Sequence, residues 1–395
     1  MRRTVTALSS NAIVSSAMGS SRKIILSREK MMNVLNKPMC NEIKDLIDSW
    51  AEDSSVSSIL MRGEGPKAFC AGGDVKSMYN AIKEKGSGIG IGLRGEPSAD
   101  FFREEYEMNF ALANSTIPQV SFWDGIVMGG GVGVSIFGDV RIATEKTMFA
   151  MPETAIGLFP DVGSSAWLPH LPRGVGTYLA LTGCRLKAAD LLLTGIATHY
   201  MPSAKYEELE HAMSTLPEDR SASRSALEEI LSSLGSSANV GEQAGHALLP
   251  GSLDSIERCF ANKDRVEDIL DALVQEVGSG ENQWANNTLK SLRKMSPSSL
   301  KLTLAQLSQG RNKNLRECLI MEYRLSQGCM REHDFAEGVR ALLVDRDNSP
   351  VWNPSSLHEV TPEKIETYFN DLGENDLNLP DVNTWTFDKK FKSRI

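Results

Sequence analysis

The sequence predicts an α/β fold, and three observations carry that expectation. Short apolar runs at Lys23–Ser27, Ser57–Arg62, Gln119–Trp123 and Val140–Ala143 read as strands. Lys37–Glu52 reads as an amphipathic helix, because Ile43, Leu46, Ile47 and Trp50 recur at helical spacing. The two patterns alternate from residue 24 to about residue 200, which is the signature of an α/β architecture.

Each later segment has its own signal. Gly86–Gly95 is glycine-rich without a period and reads as a mobile surface loop. Residues 201–285 are helix-prone and polar, and point to no chemistry. Residues 295–345 are helical. Ser296 offers an N-cap with Pro297 at the first helical position, and Leu300, Leu304 and Leu307 follow on one face. Asp334 and Glu337 fit a capping box ahead of Val339 and Leu342. Asp345–Pro354 holds two prolines and Trp352, so it is irregular. The expected organisation is a presequence or first strand over 1–23, a catalytic core over 24–200, a helical region over 201–370 and an extended tail over 371–395.

The bulk numbers exclude several function classes. The chain has 395 residues, enough for one large domain with an accessory part or for two medium domains. A net charge of -9 argues against a general nucleic-acid binder. The six cysteines are scattered without a CxxC pair, and the six histidines form no HExxH, so neither a metal site nor a redox motif is expected. No apolar run is long enough to span a bilayer. From Met1 to Arg28 there is no acidic residue, while Arg2, Arg3, Arg22, Lys23 and Arg28 are basic. That composition suits a mitochondrial presequence. Thr4–Ile13 and Ile24–Leu26 read equally as strands. The terminal Ser393-Arg394-Ile395 is distantly similar to the peroxisomal S-K-L signal.

Three segments carry chemistry. Phe69-Cys70-Ala71-Gly72-Gly73-Asp74 follows a strand and lets backbone N–H groups approach a ligand closely. Asp124-Gly125-Ile126-Val127-Met128-Gly129-Gly130-Gly131-Val132-Gly133 places three glycines before an apolar stretch, where free N–H groups could face a developing oxyanion. Its glycine spacing is not that of a dinucleotide-binding loop, and the chain has no P-loop. The third runs from Phe149 to Asp161 and sets Glu153 and Asp161 in apolar surroundings that would raise a carboxyl pKa. Alone, the first reads as a tight turn and the third as a loop with two exposed acids.

Together, their order, spacing and sequence resemble the crotonase superfamily. The resemblance implies a spiral of β-β-α turns with its cores in two nearly perpendicular sheets. It implies that the N–H groups of Gly73 and Gly130 hold a thioester oxygen and that Ala71–Gly73 meets the adenine of coenzyme A. Hydratases of that superfamily use two glutamates. The second matches Glu153, but the first falls on Gly133. The departures are similar to the hydroxyisobutyryl-CoA hydrolase branch, whose M-P-E-T-A-I-G-L-F-P-D-V-G pattern is reproduced over residues 151–163. Phe101–Tyr106, Met321–Gln327 and His333–Ala341 extend the likeness, which covers about residues 24 to 370 and is weakest over 201–285. Ser164-Ser165 departs from the glycines usual there, which alters the pocket wall and removes no carboxylate.

This branch implies hydrolysis of a short β-hydroxyacyl-CoA in valine degradation, in mitochondria or alternatively in peroxisomes. Glu153 would attack the thioester or activate water. Asp161 would orient the acyl hydroxyl or protonate the thiolate, and Glu105 would bind the same hydroxyl or tune Glu153. Neither a metal nor a redox cofactor is implied, and CoA enters with the substrate. The alternatives are another acyl-CoA hydratase or isomerase of the same fold, and a structural subunit of the mitochondrial ribosome.

Overall fold

Every strand of the core feeds one of two sheets, and the chain alternates between them. The computed structural model describes residues 12–85, 95–235, 247, 249–278, 282–393 and 395. Strands β1 (Ile13–Met18) and β2 (Ser21–Leu26) form an antiparallel hairpin. The following strands come in pairs: β3 (Ser58–Gly63) with β4 (Ala68–Cys70), β5 (Gln119–Trp123) with β6 (Ile126–Met128), and β7 (Val140–Ala143) with β8 (Met148–Ala150). The first of each pair enters a large sheet of order β1-β2-β3-β5-β7-β9, where β9 is His199–Tyr200. The second enters a small parallel sheet of order β4-β6-β8. Helices α1 (Lys37–Glu52), α2 (Val75–Lys85), α3 (Pro97–Asn114) and the short α4 (Gly130–Gly133) fill the connections. This is the β-β-α spiral expected from the motifs.

The elements form where the sequence favours them. In α1 the Asn36 side chain accepts from the Met39 N–H, Pro38 lies in the first turn, and Met39, Cys40, Ile43 and Ile47 are buried. Strands β5 and β7 are buried along their whole length, as strands covered on both faces must be. Alternation sorts the side chains between two cores: Ile59 and Met61 face the main core, whereas Leu60 joins Val120, Phe122, Val140 and Ile142 on the far face. Leu209, Met213, Leu227 and Leu231 cover that far face from helices Tyr206–Met213 and Arg220–Leu234.

Four local expectations are corrected or fall outside the described residues. The first strand runs from Ile13 to Met18 rather than ending at Ile13; four exposed residues at its centre mask it in an apolar pattern. Asp334 caps nothing, because the helix His333–Val339 begins before it; its carboxylate accepts instead from Ser296 Oγ at 2.5 Å and Asn353 N at 2.8 Å. Glu337 pairs with Arg340 at 2.8 Å. Residues 1–11 and 86–94 lie outside the described residues, the latter covering nearly all of the expected glycine-rich loop. The Pro297–Gly310 helix does begin as read, with Ser296 Oγ accepting from Ser299 N.

Residues 371–393 carry little regular structure, yet they are tied to the core. Trp385 and Phe391 are buried, and the Phe391 ring stacks on Trp167 with centroids 5.8 Å apart.

Candidate active site

The glycines of the two loops let backbone meet backbone. Strand β4 ends at Cys70, and the loop beyond it is pinned when Leu35 N donates to Gly72 O and Asp74 N to Leu35 O, each at 2.8 Å. From β6 the chain turns into α4 through Gly129, whose φ of 48° lies in the left-handed region that glycine tolerates. A Cβ on Gly130 would stand 3.2 Å from Gly73 N and would collide with Glu105 Oε1. The Gly73 amide nitrogen, Gly130 and the Glu105 carboxylate therefore adjoin one small space. Among the described residues neither glycine N–H has an acceptor.

Three carboxylates close on that space. Glu105 comes from α3, Glu153 from the 3-10 turn Glu153–Ile156 after β8, and Asp161 from the segment beyond it; they are only 2%, 5% and 4% exposed. Glu105 lies against Gly130, and Glu153 Oε1 lies 2.9 Å from where a Cβ on Gly129 would stand. The two glutamates thus flank consecutive glycines. Among the described residues the buried Glu105 Oε1 and Glu153 Oε2 have no hydrogen-bond partner. Tyr106 OH donates to Asp161 Oδ2 at 2.8 Å.

Burial and crowding govern the titration of this group. Burial raises the Glu153 carboxyl well above its usual range, and Asp161 and then Glu105 add like-charge repulsion. Glu105 is raised by the same two causes, burial first and Asp161 second. Asp161 is pushed up to about 7 by burial, against the Tyr106 hydrogen bond, which favours its charged form. Their protons belong to the group rather than to single residues. Carboxyls so placed can hold a proton near neutral pH and can attack or activate once ionised.

All five expected residues with side chains or amides at the centre, Gly73, Gly130, Glu105, Glu153 and Asp161, come together here. Ala71 lies half-buried on the first loop. Gly133, where a hydratase would carry its other glutamate, is closed: a Cβ there would stand 2.5 Å from Val162 Cβ. Ser164 and Ser165 act differently from a pocket wall. Both are fully buried, with Ser164 Oγ bonded to Pro160 O and Ser165 Oγ donating to Glu322 Oε1 at 2.6 Å.

A profile of enoyl-CoA hydratases and isomerases matches residues 21–369. The chain belongs to the enoyl-CoA hydratase/isomerase family. Within this family it is 44% identical over 356 residues to the mitochondrial 3-hydroxyisobutyryl-CoA hydrolase of Homo sapiens, covering 90% of this chain and 88% of the relative. The Gallus gallus protein of the same name is 43% identical over 357 residues, with the same shares covered. Among solved structures, a carnitinyl-CoA dehydratase from Mycobacterium thermoresistibile superposes with a TM-score of 0.81 at 31% identity, covering 94% of this chain and 99% of that one. An enoyl-CoA hydratase from Rhodobacter sphaeroides 2.4.1 gives 0.79 at 32% identity, covering 93% and 100%. The family's fold therefore extends through the C-terminal helices.

Sequence reasoning gave no role to Tyr106, Asn109 or Glu322, although Tyr106 and Glu322 lie in stretches that carry the resemblance. Glu322 Oε2 accepts from Gly163 N at 2.6 Å and its Oε1 from Ser165 N at 2.8 Å, which fixes the turn beyond Asp161. Burial lifts its carboxyl to about 8 despite these donors. Its signal was a charged residue within the apolar stripe of Leu315–Arg331, beside the buried Cys318, Leu319 and Tyr323. Among the described residues no group of His, Cys, Asp and Glu is arranged for a metal ion, and no helix is long and apolar enough to cross a membrane.

Proposed function

We propose that this chain hydrolyses the thioester of a short β-hydroxyacyl-CoA, with 3-hydroxyisobutyryl-CoA, the substrate in its relatives' names, as the preferred case. The observation that carries the reading is the pairing of buried Glu105 and Glu153 with the consecutive glycines Gly130 and Gly129, beside the unengaged Gly73 and Gly130 amides.

The two N–H groups hold the thioester oxygen and stabilise the tetrahedral oxyanion, each contributing about 3 kcal/mol. Ionised Glu153 attacks the carbonyl carbon, and the C–S bond breaks as the mixed anhydride forms, or Glu153 takes a proton from an attacking water. Asp161, protonated near neutral pH, supplies the proton to the departing thiolate. In the anhydride route, water then cleaves the anhydride and restores Glu153. Glu105 tunes Glu153 through its charge state. The chemistry draws on protein groups and water, with CoA entering as part of the substrate and its adenine at Ala71–Gly73. Hydration is disfavoured because the position of the first hydratase glutamate is Gly133, where a Cβ would stand 2.5 Å from Val162 Cβ. The mitochondrion, named for the relatives, and valine degradation are the setting that fits this substrate.

The test is thiol release from 3-hydroxyisobutyryl-CoA. Glu153→Gln should lower turnover by about a thousandfold while CoA still binds. A Glu153→Gln protein with full activity, or a folded parent protein that releases no thiol, would overturn the reading.

A further inference from the structure

Asn109 is the residue of this site that its chemistry leaves unused. It is fully buried, yet among the described residues neither its amide oxygen nor its amide nitrogen has a hydrogen-bond partner. Burying an amide with both functions idle is unfavourable, so such a group is retained where a ligand completes it.

Its position points to the ligand. Asn109 follows Glu105 by four residues on α3, so the two side chains share one face of the helix. Glu105 lies against Gly130 at the start of α4, and the Asn109 amide lies 3.0 Å from where a Cβ on Gly133 would stand, at its end. Val162, adjoining Asp161, meets the same point. One helical turn, about 6 Å, therefore separates the carbonyl end of the site from the Asn109 amide. On the thioesterase reading, an acyl group whose thioester oxygen lies at Gly73 and Gly130 has its β-carbon within that distance.

We infer that Asn109 binds the β-hydroxyl of the acyl group, accepting its proton on Oδ1 and donating from Nδ2 to its oxygen, and so sets the preference for hydroxylated acyl chains. This rests on the thioesterase reading. It assigns to an uncharged amide the hydroxyl recognition expected of Glu105 and Asp161, and leaves those carboxyls to the proton chemistry. A neutral donor–acceptor pair suits a hydroxyl, because it satisfies both of its hydrogen-bonding functions without adding a charge to a crowded acidic site.

The experiment measures binding of 3-hydroxyisobutyryl-CoA and isobutyryl-CoA, which lacks the hydroxyl, in the Glu153→Gln background, with Asn109 intact or changed to Leu. Asn109→Ser serves as a smaller substitution should the first fail to fold. With Asn109 intact the hydroxylated ester should bind about ten- to a hundredfold more tightly. With Asn109 changed, that ratio should fall to near one through loss of the hydroxylated ester. Retention of the ratio, or equal weakening of both esters, would overturn the assignment; equal weakening would mark Asn109 as a packing residue. The two readings fail separately. A parent protein that releases no thiol refutes the hydrolase, whereas the binding ratio still decides Asn109.

Discussion

Gly133 faces Val162 so closely that a Cβ at residue 133 would stand 2.5 Å from Val162 Cβ. A side chain of any size must displace the segment that carries Asp161, and that segment is fixed from behind by Glu322. Restoring the glutamate of a hydratase should therefore fail. Gly133→Glu is expected to lose about 1–3 kcal/mol or more of stability through overpacking, with no water addition to an α,β-unsaturated acyl-CoA. Thermal unfolding and a hydration assay check this together. A stable variant that hydrates would show that the Val162 side can yield.

Glu322 should matter to activity although it is one layer removed from the thioester. Its carboxylate accepts from two backbone amides and one hydroxyl of the Gly163–Ser165 turn. Glu322→Gln replaces an acceptor oxygen by an NH₂ that confronts those donors. Above pH 8, where the Glu322 carboxyl is ionised, the expected cost is about 2–3 kcal/mol, read as a lower midpoint in denaturant. Turnover should fall with KM little changed, because Asp161 shifts while the Ala71–Gly73 loop keeps its place. Unchanged stability would mean the turn holds its shape without this acceptor.

Much of this was legible in the sequence, for physical reasons that differ by element. Strands β2, β3, β5 and β7 are apolar runs bounded by polar residues, and α1 has both a cap and a stripe. The small sheet was not legible, because β4, β6 and β8 span three residues each and are too short to show a period. The glycine and carboxylate motifs were legible because their backbone demands leave few residue choices. Asn109 was not, since it looks ordinary on a helix until the fold buries it, and Glu322 showed only as a charge within an apolar stripe, with no sign of the turn it holds. The far face of the large sheet was also hidden, as nothing in Tyr206–Leu234 says which strands it will cover.

The acidic cluster gives the folded protein an unusual pH dependence. Asp161 is raised to about 7 and Glu322 to about 8, burial being the first cause of both. An unfolded carboxyl titrates near about 4. Between these values the folded chain holds protons that the unfolded chain has released, so stability is present at low pH and lost as pH rises through about 7 to 8. The unliganded protein should melt at a higher temperature at pH 6.5 than at pH 8. His170 and His199, held low by burial, oppose this only below about 6.5. Asp161→Asn should flatten the slope. Stability rising from pH 6.5 to 8 would mean these carboxyls are already ionised.

Arg141 anchors the C-terminal segment to the spiral, and its loss should free that segment. Its guanidinium is fully buried and donates to four backbone carbonyls: Ile196 at 2.6 Å, Gly138 at 2.8 Å, Gly195 at 3.2 Å and Lys390 at 2.6 Å. It also lies 4.9 Å from the centre of the Phe391 ring, which stacks on Trp167 just beyond the Ser164–Ser165 turn. Burial lowers its pKa to about 10, so it stays charged at neutral pH. Arg141→Met keeps the length of the stem but leaves four carbonyls without their donor. The cost should be about 3 kcal/mol or more, and a protease should cut within residues 380–393 in the variant well before it cuts the parent. Phe391→Ala removes the ring from the same place and should open the same segment, at about 3–5 kcal/mol. Mass spectrometry of the first fragments decides the point: cleavage elsewhere, with the terminal segment still protected, would mean that it is held by Trp385 and by Phe387, whose ring centre lies 5.2 Å from that of His170, rather than by Arg141.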